Sequence, residues 1–476
     1  MKGYHMIQDA ELFSAIDQKY IRPTERPAKP VVGVELEYPI VNLKNIGLSE
    51  VTEPVDFDVV HRLAEGFVVR FGFEKITRDD DGEIYLAEDS RTGDTISFDC
   101  SFNTLELSFG IEENICILKN RFDRYYSFIE EKLLEERHTL TGMGINPGLH
   151  VNRVEPIQNG RYRMLLHHLE SYTGYGNQIQ FHHYPNFGLF SCASQVQVDA
   201  EKEHVVEMLN TLNRLEPLKA LLFANSVFEA DADHRFLASR DYLWKHSLHG
   251  LNPHNVDEYD KRLHSVDEIV RYIASESLYC LERDGKYINF PPVMVEDYFR
   301  SRMVRGEYFD NEEGRYKYAT FEPGIDDLQF LRSFKFNDLT FRGTVECRSV
   351  CEQPVQDVMS VAAFHAGLVA KLPELTRLLD ENVGLYQQGY SVGELREIFV
   401  RQDHTHRFDD AAYSLLEEVL RLAEDGLAGR GHGEEQFLEP LFRRAEQRTN
   451  PALRLLEKQK AGRALREVIL EFADRR

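Results

Sequence analysis

Apolar and polar residues alternate with a period of two in four separate stretches of the chain, and this pattern predicts strands with one face buried and one polar. In VVGVELEYPI, Val32, Val34 and Leu36 share one face, and Glu35 and Glu37 share the other. NTLELSF sets Glu106 opposite Leu105 and Leu107. CASQVQVDA sets Gln195, Gln197 and Asp199 opposite Val196 and Val198, and RGTVECRSV sets Thr344, Glu346 and Arg348 opposite Val345 and Cys347. The full set of expected strands is 31–40, 67–77, 83–88, 94–99, 103–109, 145–151, 192–199 and 341–348, with a hairpin turn at Asp79–Gly82.

A period near 3.6 takes over elsewhere. It predicts a helix from Glu113 to Arg137 with Ile117, Phe122, Tyr125, Ile129 and Leu133 on its apolar side, and another from Lys202 to Phe223, kinked at Pro217. After Gln353 the chain reads as helical. Ser391 and Glu394 form a capping box, a helix over 410–425 is broken by Gly426 and the glycines after it, and Asn450–Pro451 opens the final helix. The expected organisation is an N-terminal extension over 1–30, an α/β core over 31–354, and a helical layer over 355–476 packed on the same unit.

Composition narrows the function. A chain of 476 residues with 42% hydrophobic residues builds a sizeable core, and a net charge of −24 argues against nucleic acid as a partner. No uninterrupted apolar stretch reaches the length of a membrane span, and the N-terminus lacks the pattern of a secretory signal. Six scattered cysteines without a CxxC motif fit reduced thiols, so a cytoplasmic location is expected. Neither GxxxxGK[ST] nor GxGxxG occurs, which disfavours a P-loop or a classical dinucleotide site.

Each alternating strand alone describes an ordinary half-exposed strand, and Glu35 with Glu37 alone describes a salt-bridged pair equally well. If the strands adjoin, however, Glu35, Glu37, Glu106 and Glu346 gather on one face with Gln197 and Arg348 among them. Such carboxylates need a counter-charge, and a hard cation such as Mg2+, with phosphate completing its shell, supplies it. Arg161 and Arg163 at a helix start, and Arg235 and Arg240 flanking Phe236 and Leu237, are candidates for clamping substrate anions or for solvating a surface. His150 is open to two readings, a contact to ATP or metal-bound water, or a structural histidine. The adjacent pairs His167–His168 and His182–His183 lack the spacing of a zinc site.

In order along residues 31–354, seven segments carry a resemblance: VGVELEYPI, FNTLELSFG, NGRYRMLLHHL, SQVQVDA, LKALLFANSVF, LERDGKYINF and TVECRSV. Together they resemble the glutamate–cysteine ligases, in particular the branch holding plant and proteobacterial enzymes. The resemblance implies an α+β fold whose curved, mainly antiparallel sheet forms a glutamine synthetase-like funnel with helices packed outside. It also implies an ATP-dependent ligase of glutathione biosynthesis that joins L-glutamate to L-cysteine through a γ-glutamyl phosphate, working as a monomer or homodimer. By motif, Glu35, Glu37, Glu106 and Glu346 would bind Mg2+, or Mn2+ in its place. Arg348 and Glu346 would serve the chemistry, and Gln197, His150 and Arg348 the nucleotide, with Arg161, Arg163 and Arg235 left for substrate anions. The chain departs from the family pattern at Gln197, at Phe109–Gly110 and at Ser349–Val350. The alternatives are a related ligase that uses a different amine, and a non-catalytic relative that binds nucleotide.

Overall fold

The computed structural model describes residues 8–475 except 48–49, 177–179, 232–233 and 404–407. Its centre is a nine-stranded antiparallel sheet built from β1 (Val32–Asn42), β2 (Lys75–Arg78), β3 (Ile84–Glu88), β4 (Thr95–Ser97), β5 (Thr104–Glu112), β6 (His138–Leu140), β7 (Ser194–Asp199), β8 (Asn337–Leu339) and β9 (Thr344–Cys347). The strand order is β8-β9-β7-β1-β5-β4-β3-β2, and β6 pairs with the end of β1. The alternation in sequence decides which way each strand faces. Val34, Leu36, Leu107, Val196, Val198, Val345 and Cys347 are all buried on one side, each contributing roughly 1.5–3 kcal/mol if fully removed from water.

That apolar side is covered by helices. The Ile115–Glu135 helix starts at Asn114, whose side chain accepts from Cys116 N, and buries Leu118, Phe122, Tyr125, Ile129 and Leu133. Phe122 and Tyr126 lie 6.1 and 6.3 Å, centroid to centroid, from Tyr38 of β1. The expected contact Ile117 falls one position off this stripe and is 45% exposed. The Val205–Phe223 helix runs through Pro217 and buries it. The Ser391–Glu394 capping box and the Asn450 cap form as expected. The Asn450-capped helix is followed by a further one, Leu465–Phe472. Gly426 does not break its helix, which continues to Arg430. A Cβ at Gly426 would sit 2.0 Å from Gly367 O, so the glycine is there to let two helices touch backbone to backbone. One hydrophobic cluster runs from Leu12 to Ala452 and takes in the sheet and these helices.

Three expectations are corrected. The fold is α+β, but the large sheet is open rather than curved into a funnel: it ends at β8 on one side and β2 on the other, and no sheet closes on itself. Closure requires edge strands that pair, whereas β2 has four residues, all exposed, and β8 has three. Residues 67–71 are helical, as the end of Phe57–Phe71, and β2 begins only at Lys75. Residues 145–151 are mostly turn, with a bridge from Ile145 to Ser191 and the Asn146 side chain donating to Ile40 O at 3.0 Å. A four-stranded antiparallel sheet over 277–321 was not expected; in the turn at Arg283–Gly285, Asp284 and Gly285 take left-handed φ of 52° and 72°. A short parallel pair, Val256–Asp257 with Phe334–Lys335, also lies outside the expectation. Among the described residues no single helix is long and apolar enough to cross a membrane. The bent pair Val355–Val369 and Leu372–Glu381 comes near by composition, but it meets at 88° and lies largely in the core.

Candidate active site on the polar face of the sheet

Register brings the polar residues together. Glu37 of β1 pairs with Glu106 of β5, and Glu35 pairs with Ser108 on one side and Gln195 of β7 on the other. Glu346 of β9 pairs with Gln197, which pairs with Gly33 of β1. Glu35, Glu37, Glu106 and Glu346 therefore share the face turned away from the helices, across four adjacent strands.

Hydrogen bonds bind this face into a network. Gln197 Nε2 donates to Glu35 Oε1 at 2.8 Å and to Glu346 Oε1 at 3.0 Å, so one amide bridges two carboxylates. Arg348 Nη1 donates to the other Glu346 oxygen at 2.7 Å, and Arg342 Nη2 lies 3.7 Å from Oε1. Glu37 accepts from Ala193 N at 2.7 Å and from Gln195 Nε2 at 2.8 Å. Glu106 accepts from Ser108 Oγ at 2.5 Å.

Electrostatically the face is under-compensated. Burial, with Glu346 next, pushes the Glu35 carboxyl up to about 7 against the opposing pull of Arg348 and Arg342. Burial, then Asp99, pushes Glu37 up to about 8, although Arg240 and the Ala193 N–H oppose it. Glu106 is raised well above the carboxylate range by burial and by Glu35, Asp99 and Glu37. Arg348 is raised instead: burial works against its charge, but Glu346 and Asp338 outweigh it. Only a positive charge delivered from outside relieves repulsion of this kind.

The donor set, all oxygen, suits a hard cation. Among the described residues, no three His, Cys, Asp or Glu side chains converge closely enough to hold an ion by themselves. A cation here would therefore complete its shell with water and phosphate, which is the habit of Mg2+.

The other expected residues are distributed differently. Arg161 lies in the first turn of the Gly160–Glu170 helix, its guanidinium 5.3 Å from the centroid of the Tyr162 ring, and Asp99 acts electrostatically on Arg161, Glu37 and Glu106 alike. Arg163 points to Asp80, at 2.5 Å, and Asn311, at 3.1 Å. Arg235 lies in a separate two-stranded sheet, and the ring of His150 packs edge-on against Tyr184 at 6.2 Å. His168 Nδ1 meets Asn289, and His182 Nε2 meets Leu243 O.

Several participants were not singled out from sequence. Gln195 was seen only as part of an alternation. Asp99 sits just after β4 and receives the Tyr162 hydroxyl at 3.3 Å. Glu352, fully buried, accepts from Glu37 N at 3.2 Å and from Ser194 Oγ at 3.0 Å. Arg240, by contrast, was a candidate for substrate anions from sequence, and it reaches Ser191 Oγ at 2.9 Å. Asp99 and Glu352 sit in no alternating run whose pattern reveals their direction.

The sequence profile of Glutamate-cysteine ligase family 2 (GCS2) matches residues 31–471. The chain belongs to this family. It is by that membership an ATP-dependent carboxylate–amine ligase of the glutamate–cysteine ligase class. Among family relatives, the chain is 21% identical over 409 residues to the chloroplastic glutamate–cysteine ligase A of Oryza sativa subsp. indica, covering 85% of this chain and 77% of that one. It is 22% identical over 411 residues to the chloroplastic glutamate–cysteine ligase of Arabidopsis thaliana, covering 85% and 72%. A crystal structure of the glutamate–cysteine ligase of Francisella tularensis in complex with AMP aligns over 93% of this chain and 87% of that one, with a TM-score of 0.47 and 12% identity. The cytoplasmic expectation is withdrawn, because the plant relatives are all named chloroplastic. Cysteine usage reports redox poise, and a plastid stroma is as reducing as cytoplasm, so the thiols never distinguished the two.

Proposed function

We propose that the polar face of β9, β7, β1 and β5 is where this ligase activates the γ-carboxylate of L-glutamate and passes it to the amino group of L-cysteine. One observation supports this placement above the rest: three carboxylates, Glu35, Glu37 and Glu106, are driven toward protonation by burial and by one another. That arrangement is costly unless a cation and a substrate complete it.

Glu35, Glu37, Glu106 and Glu346 would hold Mg2+, which when bound neutralises the ATP phosphates and orients them. Gln197 holds Glu35 and Glu346 in place through its single amide, and their oxygens are ones that would serve a hard cation. Arg348, locked by Glu346, presents its guanidinium toward the phosphoryl group in flight. Asp99 lies within electrostatic reach of Arg161, which is suited to a substrate carboxylate.

The chemistry takes two steps. A γ-carboxylate oxygen attacks the γ-phosphorus, the bond to the β–γ bridging oxygen breaks, and ADP leaves. The cysteine nitrogen then attacks the acyl carbon, a C–N bond forms, the C–O bond to phosphate breaks, and the ammonium proton passes to water. Neither step requires a nucleophilic side chain.

Oxygen-18 in the γ-carboxylate tests this. One labelled atom should appear in the released phosphate, ADP rather than AMP should accumulate, and 2-aminobutyrate should substitute for cysteine because the amine performs the attack. Label confined to the amide, or release of AMP, would exclude the acyl phosphate. An amine panel followed by product mass fixes the acceptor.

A further inference from the structure

A cavity that shares no lining residue with the carboxylate face lies where the Glu439–Gln447 helix turns into the Pro451–Lys460 helix. Its volume is about 240 Å3, and Asp357, Arg443, Arg444, Gln447, Thr449 and Arg454 help to line it. On the same measure one water needs only ~10–15 Å3. A second cavity, of about 210 Å3, shares Asp357, Arg443 and Arg454 and adds Gln356, Glu471 and Asp474. In a chain of net charge −24, the first cavity sets three guanidiniums against one carboxylate.

Arg443 and Arg454 are only loosely paired, and Arg444, though it meets Asp357 and Leu222 O, keeps one donor unused. Arg444 is buried; its Nη2 donates to Asp357 at 2.8 Å, its Nη1 donates to Gln353 Oε1 at 2.7 Å, and its Nε finds no acceptor. Burial lowers Arg444 first; Asp357 opposes this, while Arg454 and Arg443 add repulsion. Arg443 meets Glu439 at 2.9 Å with both side chains more than half exposed, a pairing of little worth. Arg454 reaches Glu471 at 3.4 Å, but Lys458 and Arg463 claim the same carboxylate. Thr449 Oγ1 also has no partner. The left-handed turn at Arg448, φ 50°, brings the two helices, and so the three arginines, together.

We propose that this cavity is a binding site for a small oxyanion of the phosphate class, clamped by Arg443 and Arg454 and attracted by the buried charge of Arg444. Forked guanidiniums are the side chains best matched to tetrahedral oxyanions. The site is wired to the carboxylate face through residues 352–357: Gln353 accepts from Arg444, and Glu352 accepts from Glu37 N at 3.2 Å. An anion that re-partners Arg444 therefore acts on the segment that supports β1.

The test is calorimetric titration of the full chain with inorganic phosphate in metal-free buffer, where the carboxylate face repels anions. The wild type and Glu346→Gln should each bind one phosphate. The double variant Arg443→Gln/Arg454→Gln, altered only at half-exposed side chains, should bind about tenfold more weakly or worse while melting cooperatively. Phosphate should raise the melting temperature of the wild type but not of the double variant. Absence of binding to the wild type, equal binding by the double variant, or loss of binding in Glu346→Gln would each overturn the proposal.

Discussion

Two regions of this protein bury carboxylates, and they do so in opposite ways. Beneath the sheet, Glu216 is fully enclosed, yet Lys219 reaches it at 2.7 Å, Arg396 at 2.8 Å and Asn337 at 2.8 Å. Burial works to raise Glu216, but Lys219 and Arg396 outweigh it and hold the group below the usual range. On the sheet's polar face, Glu35, Glu37 and Glu106 receive amides, a hydroxyl and a backbone N–H but too little positive charge, and all three are pushed up. Burial therefore does not mark a functional carboxylate. Incomplete compensation is what sets the polar face apart from Glu216.

The largest effect expected of this contrast is on turnover. Glu346→Gln keeps shape and removes a charge, so glutamate-dependent ATP hydrolysis should fall by about 10^4, or ~5 kcal/mol of barrier, with the denaturation midpoint nearly unchanged. Near wild-type rates across a Mg2+ titration would remove Glu346 from the chemistry. Arg396→Met probes the compensated region: it leaves Glu216 with Lys219 as its one cation and takes from Asp241 the guanidinium that meets it at 2.8 Å. Chemical denaturation should show a loss of about 3–5 kcal/mol, and a loss under 1 kcal/mol would erase the distinction between the regions.

Glu130 is an intermediate case. It accepts from Leu140 N at 2.7 Å and from Thr139, but its cation, Arg475, stands 3.6 Å away and is half exposed. Burial pushes Glu130 up to about 7 from the ordinary 4.5, so between those values the folded chain holds a proton that the unfolded chain has released. Its contribution to stability is full below about pH 4.5 and lost as pH rises to about 7, a change of up to about 3 kcal/mol. Glu130→Gln should flatten that decline, and identical pH–stability curves for variant and wild type would refute it. The smallest effect is a gain. Glu106→Gln relieves repulsion on the polar face, so its stability at pH 8 without metal should rise by about 0.5–2 kcal/mol while activity falls. A destabilised variant would show that the carboxylates are compensated after all.

The sequence by itself determined the local choices: the period of two in β1, β5, β7 and β9, the cap at Asn114, the capping box at Ser391 and Glu394, and the order of motifs that carries the family. These follow from forces acting over a few residues, so a few residues reveal them. It did not determine the rest. The hidden strands over 277–321 include one with Pro291 and Pro292 inside it and another that is mostly exposed, so neither periodicity nor composition marks them. Whether residues 67–77 became strand or helix depended on the Phe57–Phe71 helix finding a partner in Phe128 and Tyr125. Above all, only the tertiary structure decided which strands adjoin. Gln197 bridges Glu35, 162 residues away, to Glu346, 149 residues away, while Asp99 and Glu352 enter the site from segments with no telling pattern. A carboxylate's charge state is set by what surrounds it in space, and chain order does not encode that neighbourhood until the sheet has formed.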